Sequence, residues 1–472
     1  MDAGFLAAAR AIVGAAFVVD GPAIEPRYLE PARYAPGRAA ALLRPATTAQ
    51  LVQLVQLCAA QGLTLVAQGA HTGLVRAATP TDAARHVLLS TERLREVFDF
   101  DPLDRTLRVS AGYRLSEVNE RLASQGLSFA VDLSADPSIG GMLAHNTGGT
   151  RMLRYGDVRA NTLGLTAVLA DGRVLQAGRG LQKDNAGLAL QQLFVGSSGA
   201  LGVISEAVLK LQPLPRQRAV ALVAPTSLAD VFPLYQQLMA GELAGLISAF
   251  EGISRPALQA ALRHRGDPGR LFDGQLPEYA LLIELASELP AARLDLNALL
   301  QELLEAEFGA KVADAVIGAD EQIWGLRHSI SEGLRDEGRV IGFDLSLPRR
   351  DFMRFRAEAT AWLAAQFAPA RVADFGHLGD GGLHFNLVWP HGEPALDVAA
   401  TARLRAGVYA IAARLGGSFS AEHGIGPQVQ DSYWQLSDPT RQQLSGAIQA
   451  LFDPGRLMGL SDFGSPGQKT VL

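Results

Sequence analysis

ALLRPATTAQLVQLVQLCAAQGLTLVAQGAHTG, residues 41–73, sets a short apolar run, a helical pattern and a second apolar run in succession, then closes on a glycine-bearing turn. In TAQLVQLVQLCAAQ the leucines and valines return every three or four residues, the spacing of one helix face, whereas ALL and LTLVA are unbroken runs of strand length. That alternation belongs to an α/β or α+β domain. It continues through HVLLS, TLRVSAG, LSEVNERLASQG, LGLTAVLADG and LGVISEAVLKL until LQPLPRQR, where Pro213 and Pro215 mark a break. From about Arg216 to Ala421 the segments are longer and more helical, as in LDLNALLQELLEAEF, mixed with the strand-like AVALVAP, YALLIELA and FDLSLP. The expected organisation is a first domain over 1–215, a second, sheet-plus-helix domain over 216–421, and a segment over 422–472 too short to bury a core, which returns to the first domain. No repeat of fixed period is visible.

Composition narrows the function classes. The 472 residues are 48% hydrophobic and 19% charged, with 49 Gly, which describes a folded chain of two or more domains. A net charge of −6, evenly spread, offers a nucleic-acid backbone no attraction, so small molecules and other proteins are the expected partners. The one cysteine, Cys58, cannot pair within the chain and reads as a core residue. The opening FLAAARAIVGAAFVV has an acidic lead and is interrupted by Arg10, so a surface helix is expected rather than a secretion signal. No later window has the unbroken apolar run of a membrane span, and the expected location is cytoplasmic, with peripheral attachment to the inner face of a membrane left open.

Four places carry candidate chemistry. QGAHTG, Gln68 to Gly73, follows a strand, and its glycines let successive N–H groups approach an anion, although an ordinary tight turn has the same pattern. Between Asp136 and Gly202 five glycine-bearing turns suggest backbone wrapped around an extended ligand, or a glycine-rich hairpin layer. Neither a G-x-G-x-x-G strand-to-helix turn nor a Walker A box occurs. In HLGDGGLHFN, a hairpin through Gly379, Asp380, Gly381 and Gly382 can bring His377 beside His384, and alternation puts Asn386 on the face of His384. With Glu422 of SAEHGIG these would make a two-histidine, one-carboxylate site for a divalent ion such as zinc; two structural histidines in a hairpin are the alternative. Arg327 and Ser331 share a helix face one turn apart, and the guanidinium could clamp a carboxylate or simply be salt-bridged.

Taken together and in order, RPATTAQLVQLVQLC, QGAHTGLV, SIGGMLAHNTGG, RYG, LGLTAVLADG, KDNAG, VGSSGALGVI, HLGDGGLHFN and SAEHGIG resemble the FAD-dependent D-2-hydroxyacid dehydrogenases, the D-2-hydroxyglutarate and D-lactate dehydrogenases of the vanillyl-alcohol-oxidase type, over roughly residues 25–460. The resemblance implies an α+β protein with a two-part FAD-binding domain of the PCMH type and an α+β cap bearing an antiparallel sheet. It implies FAD binding by Gln68, Gly69, Ala70, His71, Thr72, Gly73 and Leu74 at the pyrophosphate, and by Ser138, Gly140, Gly141, Ala144, Asn146, Gly148, Gly149 and Ile204 elsewhere. It assigns a divalent metal to His377, His384 and Glu422, the base to His423, and the substrate carboxylate to Arg327, assisted by Ser331 and Asn386. The implied reaction is hydride transfer from a D-2-hydroxyacid to flavin N5, with electrons passed to an electron-transfer flavoprotein, quinone or cytochrome rather than NAD. An oxidase using oxygen and a non-catalytic FAD-binding subunit are the alternatives, and a homodimer is compatible.

Several positions depart from the family pattern. Gly342 and Val429 stand where lysines are usual, removing positive charge expected near substrate carboxylates, so a monocarboxylate or bulkier, more apolar hydroxyacid is favoured over a dicarboxylate. Gly382 replaces a usual Asn, Ser198 a usual Glu, and LMGLSD an NPGK-like sequence. His71 replaces an Asn at a position where some related flavin oxidases attach flavin covalently; a polar loop residue is the other reading.

Overall fold

The computed structural model describes residues 1–241, 243–266, 271–318 and 320–464; the final eight residues of the 422–472 segment therefore lie outside the described residues. The chain divides into two compact units, one of Met1–Gly148, Gly156–Pro213 and Glu422–Leu472, the other of Gly149–Tyr155 and Leu214–Ala421. The short segment Gly149–Tyr155, placed in the first domain by sequence, groups with the second unit.

The first unit contains two main sheets. Ala41–Leu43 and Thr64–Gln68 lie parallel on either side of His86–Ser90, with Val18–Asp20 antiparallel at one edge. Helix Thr48–Ala60, capped by the Thr47 side chain on the Gln50 N–H, turns Leu51, Leu54, Val55 and Cys58 inward. There they meet Phe5, Leu6, Ala9 and Val13 of helix Ala3–Val13 in one core. The opening segment is thus an amphipathic helix whose apolar stripe is consumed by packing. Burial pushes the Cys58 thiol up to about 12, which leaves it an inert core group. The second sheet is antiparallel, ordered Phe98–Asp101, Thr106–Ser110, Val203–Lys210, Thr162–Val168, Val174–Ala177. The C-terminal segment rejoins this unit: the Leu65 N–H donates to the Leu457 carbonyl at 2.7 Å and the Gly459 N–H to the Leu65 carbonyl at 2.9 Å.

The second unit is built on one antiparallel sheet, ordered Val312–Gly318, Gln217–Pro225, Tyr279–Ser287, Ile247–Ser254, Phe375–Gly376, Gly382–Pro390, Gly338–Ser346, with Arg371–Val372 also paired to Gly382–Pro390. Helices Val231–Ala240, Leu296–Ala306, Arg349–Gln366 and Val398–Arg414 send side chains into the core on one face. Helices Arg255–His264 and Asp320–Glu337 cover the other. They approach closely at Gly333, where a Cβ would fall 2.4 Å from the Ala260 carbonyl oxygen. Because the sheet is covered on both faces, Tyr279–Ser287 is buried along its whole length and its sequence shows little polar alternation. The exceptions are single glutamates in the central strands, Glu251 and Glu284, both 0% exposed.

Candidate active site

Within the first unit, strand Thr64–Gln68 runs into the turn read as an anion cradle. Gly69 is dictated by a close approach, since a Cβ there would fall 1.9 Å from Ser138 Oγ. His71 sits at φ 57, and among the described residues the N–H groups of Ala70, His71, Thr72, Gly73 and Leu74 donate to no protein acceptor. Such a run of half-buried donors suits an anionic group. Gln68 shapes this loop from beneath: its buried amide donates to the carbonyls of Tyr28 at 3.0 Å and Ala78 at 2.8 Å. Both ring nitrogens of His71 have protein partners, Nδ1 with the Arg27 carbonyl at 3.3 Å and Nε2 with Thr79 Oγ1 at 3.0 Å, which is the ordinary role of a polar loop residue.

Helix Ile139–His145 is started by Ser138, whose Oγ accepts from the Gly141 N–H at 3.2 Å, and stopped by Asn146 in the left-handed region at φ 50. Gly140 serves packing, its absent Cβ leaving room for Ala111, and Ile204 is buried in the adjoining core. The Asn146 side chain is committed to Asp157 at 2.8 Å and to the Arg159 N–H at 2.8 Å, while Ala144 remains half-buried at the surface of the helix. Between them lies His145, which the sequence reading passed over. Its Nδ1 approaches the His423 carbonyl at 3.2 Å, and Gly424, at φ 78, would carry a Cβ 3.2 Å from the same nitrogen. Burial lowers the His145 imidazole below its ordinary value, the hydrogen bond to His423 opposing this only in part. Glu422 Oε1 stands 3.9 Å from His423 Nε2.

The second unit holds the remaining candidates. The turn after Phe375–Gly376 uses Gly381 at φ 91, where a Cβ would strike the Leu347 carbonyl, and it brings the His377 and His384 rings to 5.2 Å, edge to face. At Gly382, where the resemblance leads to an expected Asn, a Cβ would lie 2.9 Å from Asp380 Oδ1 and 3.3 Å from His377 Cβ, so the turn is tightly packed at this point. Along Gly382–Pro390, Phe385 and Leu387 enter the core while His384 and Asn386 take the other face, as the alternation requires. Opposite them in the ladder are Asp344, paired with His384, and Gly342, paired with Asn386. Asp344 is a carboxylate the sequence reading missed; it accepts the Ala421 N–H at 3.0 Å, and the next residue in the chain is Glu422.

Arg327 and Ser331 both lie on helix Asp320–Glu337. Arg327 is buried, its Nε 2.6 Å from Glu251 Oε2 and its Cζ 4.5 Å from the centre of the Phe375 ring. The other oxygen of Glu251 takes His377 Nδ1 at 2.5 Å. Burial alone would raise the Glu251 carboxyl, but its two partners, His377 and Arg327, overcome it and hold the group below the ordinary carboxylate value. With Nδ1 on a carboxylate, His377 has Nε2 as its ligand atom, the arrangement common to metal-binding imidazoles. Two imidazoles with neighbouring carboxylates suit a borderline divalent ion.

Residues 39–178 match the family described as FAD binding domain, and residues 214–459 that described as FAD linked oxidases, C-terminal domain. The chain is 33% identical over 460 residues to the mitochondrial D-2-hydroxyglutarate dehydrogenase of Bos taurus, covering 95% of this chain and 81% of that protein. It is 32% identical over 428 residues to the D-2-hydroxyglutarate dehydrogenase of Xanthomonas citri pv. viticola, covering 89% and 88%. The chain belongs to the FAD-dependent D-2-hydroxyacid dehydrogenase family. Like its family, it is an FAD-dependent oxidoreductase acting on CH–OH groups. Its fold is that of the PCMH-type flavoproteins: p-cresol methylhydroxylase with substrate bound superposes with a TM-score of 0.73 at 15% identity, over 98% of this chain and 96% of that one. The donor-rich loop at residues 70–74 fits the FAD of this family, and the imidazole–carboxylate set fits a metal.

Proposed function

We propose that the protein oxidises a D-2-hydroxyacid to the 2-oxoacid with the help of a divalent metal, zinc being the first candidate, and passes the electrons to a protein, quinone or cytochrome acceptor. The observation that carries this reading is the pairing of His377 with His384 beside a buried Arg327 in the same unit. His377, His384 and Glu422 would hold the ion, which when bound supplies Lewis acidity to the α-hydroxyl, while FAD supplies the acceptor for hydride at N5. Arg327 receives the substrate carboxylate: Glu251 occupies Nε, so the two terminal nitrogens form the edge that meets a pair of oxygens. Ser331 and Asn386 orient the same group. His423 takes the hydroxyl proton on its imidazole, and the His145 contact with the His423 carbonyl fixes the backbone that carries it.

The substrate's side chain follows from two replacements. Gly342 faces Asn386 across the ladder with no side chain, and Val429 is an apolar residue 9% exposed, so neither position offers a cation to a second carboxylate. The relatives' name specifies 2-hydroxyglutarate; for this chain a monocarboxylate or bulkier 2-hydroxyacid is the proposed class.

Oxygen-free absorption spectra, taken before and after addition of each of a panel of D- and L-2-hydroxyacids, test the reading. One D-acid should bleach the flavin band, and its reduction should slow by about 10²–10⁴-fold in His423→Ala with FAD still bound. A flavin band that no hydroxyacid bleaches in metal-replete protein would overturn the proposed substrate class.

A further inference from the structure

Glu251 is 0% exposed in the middle of a sheet strand, and a buried carboxylate is retained only if its partners repay the cost of removing it from water. Its two oxygens are divided between two functions: Oε1 meets His377 Nδ1 at 2.5 Å and Oε2 meets Arg327 Nε at 2.6 Å. The contacts then close on themselves. Arg327 lies 4.5 Å over the Phe375 ring, Phe375 stands 5.2 Å from the His384 ring, and His384 stands 5.2 Å from that of His377. Five side chains from the helix Asp320–Glu337, the strand Ile247–Ser254 and the two arms of the hairpin thus form a ring, with Glu251 its sole carboxylate.

We propose that Glu251 is a positioning residue that fixes the His377 imidazole and the Arg327 guanidinium in one frame, so that metal binding and recognition of the 2-hydroxyacid carboxylate depend on the same buried group. This rests on the functional reading above. By accepting from Nδ1, Glu251 sets the His377 tautomer with Nε2 toward the metal and makes that nitrogen a stronger ligand. By engaging Nε of Arg327, it presents the end-on pair of nitrogens to substrate.

The test compares wild type, Glu251→Gln and Glu284→Gln as FAD-loaded enzyme freed of metal by chelation and titrated with Co²⁺, followed by the visible bands of the ion. The glutamine at 251 should weaken Co²⁺ binding by about 10–100-fold. At saturating Co²⁺ it should also raise KM for the bleaching hydroxyacid about tenfold or more, with a smaller change in kcat and unchanged FAD content. Glu284→Gln should leave both constants unchanged. Co²⁺ binding within twofold of wild type in Glu251→Gln overturns the inference alone, whereas a wild type that binds no Co²⁺ overturns the metal reading and this inference with it. Should Glu251→Gln fail to fold, proton NMR of the wild type decides: a far-downfield exchangeable resonance lost in His377→Gln supports the His377–Glu251 hydrogen bond, and its absence overturns it.

Discussion

Glu251 and Glu284 are the same residue type in the same environment, and they do different work. Both are 0% exposed, on neighbouring strands of the second unit. The ladder pairs Ala249 with Glu284 and Glu251 with Leu282, so both carboxylates face helix Asp320–Glu337, where Trp324 meets one and Arg327, three residues on, the other. Glu284 is saturated by four donors: Arg151 Nε at 2.8 Å and Nη2 at 2.9 Å, Ser248 Oγ at 2.5 Å and Trp324 Nε1 at 2.8 Å. Four donors meet the four lone-pair sites of a carboxylate. The result is a latch that ties segment Gly149–Tyr155 into the second unit, reinforced by Arg154 on the Ala286 carbonyl and on Glu288. Glu251 instead spends its oxygens on a candidate metal ligand and a candidate substrate clamp. The difference lies in the partners, since burial and charge are alike.

The comparison breaks most readily at Glu284. Glu284→Ala leaves Arg151 without its buried counter-ion, and the expected loss is roughly 3–5 kcal/mol of stability, read as a lowered denaturant midpoint. The fraction that remains folded should turn over hydroxyacid normally. A variant that folds stably but has lost metal binding would erase the distinction drawn between the two carboxylates.

A smaller effect is expected at the helix. Trp324→Phe keeps an aromatic six-membered ring in the apolar layer but removes, with the rest of the indole, the N–H that meets Glu284, a hydrogen bond to a charged acceptor worth about 1.5–3 kcal/mol. Denaturation should register that loss while KM stays unchanged. Should KM rise as well, the two carboxylates are coupled through the helix, and Arg327 is positioned in part by its neighbour three residues away.

What the sequence made legible follows the same division. The hairpin at Gly379–Gly382 and the shared face of His384 and Asn386 were readable because turn glycines and strand alternation act over a few residues. Glu251 and Glu284 stood in SAFEGIS and LLIELAS as single acids in apolar strands. That is a signal for a buried paired charge, but the partners lie 76 and 126 residues away for Glu251 and 133 for the Arg151 pair, beyond any local pattern. Asp344 was hidden in the same way, its place opposite His384 being set by strand pairing. His145 carries no local signal within SIGGMLAHNTGG, because only the fold brings the His423 carbonyl to it.

The smallest effect is a dependence on pH that distinguishes charge from shape at the latch. Burial alone would raise the Glu284 carboxyl, yet the hydrogen bonds and charge of Arg151, with help from Ser248, hold it below the ordinary carboxylate value. A group whose pKa is lower folded than unfolded binds fewer protons in the native state through that interval, so its contribution is present above the unfolded value and drains away as the pH falls toward the folded one. Glu284→Gln preserves the outline of the side chain and cannot titrate. The stability difference between wild type and this variant should therefore be constant near neutrality and shrink as denaturation is repeated at successively lower pH, beginning where an ordinary glutamate protonates. A difference that stays constant down to strongly acid pH would mean that hydrogen-bond geometry holds segment Gly149–Tyr155, and that the charge of Glu284, unlike that of Glu251, is dispensable.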